Sequence, residues 1–160
     1  MSAGTFRLAA ITGIEIYPGE AEAITRLLER GWWRVHIRKP GAPSDAVEAL
    51  INDIPAPLRE RLSLHDHFHL ATRLGVGGLH LNMRHQSPTA GWRGMLSQSC
   101  HSVEEVLANR GKLDYMFLSP VFDSISKPGY SGKFSPEELA ASGALGPDLF
   151  ALGGVMPREL

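Results

Sequence analysis

Three serines and two lysines crowd one short stretch: Ser124, Ser126, Lys127, Ser131 and Lys133, interrupted by Pro128, Gly129 and Gly132. Hydroxyls, free backbone N–H groups and ammonium all donate toward negative oxygen, so the stretch has the chemistry of a phosphate or other anion site. The same residues also suit an ordinary solvated loop, and taken alone they leave both readings open. A second pattern lies at the ends of short apolar runs, which close on His36 and Arg38, His65 and Asp66, His80 and Asn82, and Ser99 and His101. "HDHFHL" offers His65 and His67 to one metal ion if the strand continues, the signature of a metal-dependent barrel hydrolase. Supporting structural roles for His67 and His69 are the competing reading. His80 reads as a hydrogen-bonded strand residue. Cys100 beside His101 invites a nucleophile, but sequence neighbours on a strand point opposite ways, so a buried structural thiol is expected. Trp32, Trp33 and Trp92 read as packing residues. Gly153 and Gly154 let a phosphate approach the backbone, or simply make a turn.

The elements that must position these groups alternate along the chain. Strands are expected at Arg7–Thr12, Trp32–Lys39, Arg61–Asp66, Gly78–Asn82, Met95–Cys100, Leu113–Ser119 and Asp148–Gly154. Between them, Glu20–Arg30 has Ala23, Ile24, Leu27 and Leu28 at helical spacing, with Gly31 placed to stop it. A second helix is expected from a Ser44 cap, and "FHLATRLG" is a short one ending at Gly75. Ser102 to Glu105 and Ser135 to Glu138 have capping-box spacing, the latter with Pro136 at the first helical position. The stretch between Asn82 and Met95 is polar and without a clear pattern. Strand–helix alternation argues for an α/β fold with a parallel sheet. No G-x-G-x-x-G follows the first strand, against a dinucleotide site. Polar residues at strand ends are what a (β/α)8 barrel points into its site, and they favour the barrel over a doubly wound sheet.

Composition bounds the classes. The chain has 160 residues, 43% hydrophobic and 21% charged, with 16 Lys+Arg against 17 Asp+Glu and a formal net charge of −1. That fits one domain over 1–160 and gives no basic face for nucleic acid. A lone cysteine excludes an internal disulfide and fits a reducing, cytoplasmic setting. "LAAITGI" is too short for a membrane span and lacks a cleavage site behind it.

In this order the motifs resemble those of the thiamine phosphate synthases and related thiazole tautomerases, a (β/α)8-barrel family. "VHIRKP" resembles Q-L-R-x-K, and "HDHFHLATRLGVGGLHLN" resembles N-D-x-x-x-L-A…G-V-H-L-G. "SCHSVEEV" resembles S-x-H-S-x-E-E, "DYMFLSPVFDSISK" resembles D-Y-x-x-x-G-P-V-F-x-T-x-T-K, and "FALGGV" resembles A-I-G-G-I. The spelling looks like a divergent bacterial branch.

The resemblance implies a transferase of thiamine biosynthesis that joins hydroxymethylpyrimidine diphosphate to thiazole phosphate, releases pyrophosphate and needs Mg²⁺. It places Arg38 on the diphosphate, which suits a guanidinium fork, and Ser99 near the pyrimidine. Ser124, Ser126 and Lys127 fall on phosphate groups and Asp66 on Mg²⁺, with Arg38, Ser99 and Lys127 as the catalytic set. His36 replaces the family glutamine, and His65 the asparagine before the metal aspartate. Lys39 falls one place before the family lysine. The second Mg²⁺ aspartate falls at His85, an imidazole where a hard oxygen is wanted. Pro120 stands where a tautomerase has its catalytic histidine. Gly153 and Gly154 would cup the thiazole phosphate. Small phosphorylated substrates are the expected partners, with neither nucleic acid nor membrane.

Complete barrels of this type need roughly 200 residues or more, so the expectation is an incomplete barrel of about seven strands, truncated before the last βα unit. Such a form would be poorly active and prone to aggregate, or closed by a partner chain as a homo-oligomer. Alternatives that stay open are a non-catalytic barrel binding a phosphorylated metabolite, a thiazole tautomerase, and the metal-dependent hydrolase.

Overall fold

The computed structural model describes residues 7–121, 132, 134–143 and 148–153. The chain divides into two compact units, 1–95 and 96–160. The first unit holds β1 (Ala9–Ile11), α1 (Glu20–Glu29), β2 (Arg34–Ile37), α2 (Ser44–Asn52), β3 (Leu62–Leu64), α3 (His69–Leu74) and β4 (Gly78–Leu81). Its strands pair in chain order and all in parallel, with Ala10 opposite Val35, His36 opposite Ser63, and Ser63 opposite Gly78.

Side chains alternate across a strand, so this register builds two faces. Val35, Ile37, Leu62, Leu64 and Leu79 form one of them, each no more than 1% exposed. Arg34 and His36, Ser63 and His65, and Gly78 and His80 share the other. Helix α1 packs on β2 and buries Ile24 and Leu28. The helix stops where Gly31 takes a φ of 90°, a conformation only glycine adopts cheaply. Gly75 closes α3 in the same way.

The second unit holds β5 (Met95–Cys100, its first residue belonging to the first unit), α4 (Val103–Asn109), β6 (Tyr115–Leu118), α5 (Pro136–Gly143) and β7 (Leu149–Ala151). Again the strands are parallel, with Ser99 opposite Phe117 and Phe117 opposite Phe150. Cys100, Met116 and Leu118 pack with Val106 of α4, and Leu113, Phe134, Leu139 and Leu149 close around them. On the opposite parity Tyr115, Phe117 and Phe150 meet edge-on or tilted, their ring centroids 5.7 to 5.9 Å apart. The progression of parallel strands and helices in both units is that of a (β/α)8 barrel, with seven strands present among the described residues.

Differences from expectation are local. Ser44 does not cap α2; Pro43 occupies the cap position, and the Ser44 hydroxyl instead meets His69 Nε2 at 2.9 Å. A 3-10 segment at Ala56–Arg61, absent from the sequence reading, leads into β3, its start set by Pro55 and Pro57. Several strands are shorter than expected, although the flanking residues keep ladder-like bonds, such as Trp33 N–H to Leu8 O and Thr12 N–H to His36 O. Residues 83–94 form no helix; they begin with an antiparallel bridge between Asn82 and His85. No described helix is long and apolar enough to cross a membrane.

Candidate functional site

The polar face of β2, β3 and β4 is layered. In the lower layer Arg34 Nη1 donates to Leu62 O at 2.8 Å and to Ser63 Oγ at 3.2 Å. A Cβ at position 78 would run into Ser63 Oγ and Arg34 Nη1, so glycine is what leaves room for the guanidinium. Two residues on, the same alternation brings His36, His65 and His80 together. They are 0%, 5% and 2% exposed. His36 Nδ1 and His65 Nε2 share a hydrogen bond of 2.9 Å. The His65 and His80 rings stack with centroids 4.0 Å apart, and His36 stands edge-on to both. Burial and mutual repulsion hold His36 and His65 well below the ordinary imidazole value. Burial alone takes His80 down to about 4. All three rings are therefore neutral at pH 7.

This cluster is what the sequence reading missed. It weighed a His65–His67 pair against supporting roles for His67 and His69, and took His80 for a hydrogen-bonded strand residue. The signal was available in the two-residue period: His36 follows Arg34, His65 follows Ser63 and His80 follows Gly78. The strand does not continue far enough for a His65–His67 pair, because β3 ends at Leu64 and His67 takes a φ of 55°, turning the chain. His67 Nε2–H donates to Ala42 O at 2.8 Å, and its ring meets His69 edge-on.

One turn beyond the cluster lies the carboxylate. Asp66 is 6% exposed. Its Oδ1 accepts from Arg84 Nε at 2.9 Å and lies 3.6 Å from His85 Nε2. Its Oδ2 is buried with no hydrogen-bond partner among the described residues. The Asn82 amide ties this rim by donating to His65 O and His80 O. Asp66, Arg84 and His85, with Pro40, Phe68 and Thr89 among other residues, line an open cavity of about 520 Å³. An orphaned carboxylate oxygen beside such a cavity fits a hard cation. The fit is to one protein oxygen, since His85 supplies nitrogen and Arg84 already neutralises the other oxygen.

Arg38 is half-buried at the end of β2, where its backbone N–H donates to Thr12 Oγ1 at 3.0 Å and its charge helps depress the pKa of His65. Lys39 needs a correction as a substrate ligand. It is 1% exposed, and its ammonium donates to Gly13 O, Glu15 O and Glu20 Oε1 at 2.6 to 2.8 Å. All three donors are spent, and the residue clamps the β1–α1 loop to the first turn of α1. His36, fully buried in the layer below the rim, likewise presents no exposed edge to a ligand.

In the second unit, Ser99 is half-buried on β5, and Gly153 follows β7 with a φ of 97°. A Cβ on Gly153 would touch Pro120 at 3.3 Å, so this turn packs closely on the end of β6. Ser124, Ser126, Lys127 and Gly154 lie outside the described residues. Cys100 is 0% exposed, as expected of a structural thiol, and burial pushes its pKa up.

A family model described as thiamine monophosphate synthase matches residues 8–160. Among solved structures, thiamine phosphate pyrophosphorylase from Bacteroides thetaiotaomicron matches with a TM-score of 0.82 and 35% sequence identity, covering 94% of this chain and 73% of that one. No curated protein sequence matches the chain.

Proposed function

The chain belongs to the thiamine monophosphate synthase family, and we propose that it couples hydroxymethylpyrimidine diphosphate to thiazole phosphate with release of pyrophosphate. The observation that carries this reading is Asp66, a buried carboxylate with one orphaned oxygen at the rim of a cavity that Arg84 and His85 also line. A diphosphate leaving group needs positive charge and donors where its negative charge grows. Arg38 at the end of β2 and Arg84 beside Asp66 are the cations for that task. Asp66 would hold Mg²⁺ through Oδ2, with phosphate oxygens of the substrate completing the shell. When bound, Mg²⁺ stabilises the negative charge of the departing pyrophosphate. Ser99 would hydrogen-bond the pyrimidine, while Ser124, Ser126 and Lys127, with Gly153 and Gly154, would take the thiazole phosphate. The partners are thus small phosphorylated substrates, and the reaction is one of thiamine biosynthesis, with a cytoplasmic setting.

The decisive experiment supplies both substrates and Mg²⁺ and looks for thiamine phosphate by mass spectrometry. Product that disappears in Arg38→Ala supports the synthase. A second reading, a barrel that binds a phosphorylated metabolite without turnover, draws on His85 standing 3.6 Å from Asp66 in place of a second carboxylate. Tight pyrophosphate binding with no product would select it.

A further inference from the structure

Barrel interiors are ordinarily filled by branched aliphatic side chains. Here one layer of the first unit holds three buried imidazoles instead, with His36, His65 and His80 no more than 5% exposed. Their candidate ligand atoms, one per ring, all lie within 4.8 Å of one another. Three imidazoles around Zn²⁺ sit about 2.0–2.1 Å from the ion, which spaces their nitrogens about 3.3 Å apart in a tetrahedron. His36 Nδ1 and His65 Nε2, at 2.9 Å, are already near that spacing.

We propose that His36, His65 and His80 form a three-histidine site for a transition-metal ion of the Zn²⁺ or Co²⁺ type, buried below the Asp66 rim. This site is separate from the one carboxylate oxygen offered by Asp66, and the donor sets select different ions: imidazole nitrogen suits Zn²⁺, Co²⁺, Ni²⁺ and Cu²⁺, carboxylate oxygen suits Mg²⁺. Two rearrangements are required. The hydrogen bond between His36 Nδ1 and His65 Nε2 puts a proton on one of these nitrogens, so that ring must carry its proton on its other nitrogen before both can ligate. The His65 and His80 planes are 15° apart, so the stacked rings cannot both aim a lone pair at one ion as they stand. Rotation of the His80 ring out of the stack brings its edge to the ion. The Asn82 amide, bonded to the His65 and His80 carbonyls, holds both strand ends in place while the ring turns. Arg34, Arg38 and Arg84 oppose the site with positive charge, so binding is weaker than in a closed structural zinc site.

The test titrates the metal-stripped protein with Co²⁺, reading visible absorption, and follows the histidine ring signals by NMR on addition of Zn²⁺. One equivalent of Co²⁺ with tetrahedral-type absorption, with Zn²⁺ shifting the signals of His36, His65 and His80, is the expected result. Affinity should fall about tenfold or more in His80→Gln, since even loss of a group that only orients a ligand weakens metal sites by about that much, and stay unchanged in a His67→Ala/His69→Ala/His85→Ala variant. The NMR readout uses the unaltered chain, so it stands even if His80→Gln fails to fold. Absence of binding, perturbation confined to His67, His69, His85 or His101, or displacement of Co²⁺ by excess Mg²⁺ would each overturn the site.

Discussion

The two units use the same parallel scaffold and fill its alternating faces differently. In the first, Arg34, His36, Ser63, His65 and His80 share a face, and nearly every polar group there meets a named partner. In the second, Ser97 and Ser99 stand opposite Tyr115 and Phe117, whose rings pack with Phe150. One face is held by hydrogen bonds and neutral imidazoles, the other by aromatic contact. The lesson is that strand register places side chains without regard to their chemistry, while the chemistry sets what the face responds to. A polar buried face answers to pH and to loss of a partner charge. An aromatic one answers to lost volume.

The largest effects should fall on the buried anchor of each unit. Lys39 and Glu20 form a 2.6 Å ion pair with side chains 1% and 2% exposed. Removing one partner of such a pair strands the other charge, so Lys39→Ala should cost about 3–5 kcal/mol, read from the shift in urea midpoint. The double change Lys39→Met/Glu20→Gln should recover most of that loss. In the second unit Phe117, 2% exposed, should cost about 3–5 kcal/mol as Phe117→Ala through the cavity it leaves. No second substitution of charge should rescue it. Recovery of Phe117→Ala by the Lys39 and Glu20 changes would erase the distinction between the two faces.

The pH response separates the units at the next scale down. His80 is held at about 4 in the fold against 6.5 for a free imidazole, so the unfolded chain takes up its proton first as pH falls. Stability is therefore full above 6.5 and is lost progressively down to about 4, a window worth about 3 kcal/mol. His36 and His65, depressed by the same burial, push in the same direction. Urea midpoints across this window should fall for the parent protein, and the slope should flatten in His80→Gln. An unchanged slope in that variant would assign the acid response to other groups. The penalty of Phe117→Ala, by contrast, should be the same at both ends of the window.

Much of this was readable beforehand, for reasons that differ by residue. The strands at Met95–Cys100 and Gly78–Leu81 announce themselves by apolar content and flanking glycine. The capping boxes announce α4 and α5: Ser135 and Glu138 exchange side-chain bonds to each other's backbone N–H. Asp66 was legible as a candidate through its motif. What a linear reading could not supply was the meeting of His36, His65 and His80, because it depends on the stagger between three strands, which brings His65 Nε2 to His36 Nδ1. Nor could it show that Lys39, one place from the expected lysine, is spent on Gly13, Glu15 and Glu20. A one-residue offset on a strand reverses the face, and only the fold shows which way the side chain went.

The smallest contrast lies at two serines that look alike in sequence. Ser102 opens α4 with its hydroxyl accepting from Glu105 N–H at 3.1 Å, while the Glu105 carboxylate accepts from His101 N–H at 2.8 Å. Ser44 occupies the first helical position of α2, behind Pro43, and accepts no cap bond. Its hydroxyl is instead paired with the exposed His69 ring. Loss of a true cap leaves a helix N–H without its partner and costs about 1 kcal/mol, whereas an exposed side-chain bond exchanges readily with water and is worth a few tenths of that at most. Ser102→Ala should therefore lower stability by about 1 kcal/mol, and Ser44→Ala should leave the urea midpoint almost where it was. Equal losses at the two positions would mean that α2 takes its start from Ser44 in solution, and the cap geometry at Pro43 would have to be given up.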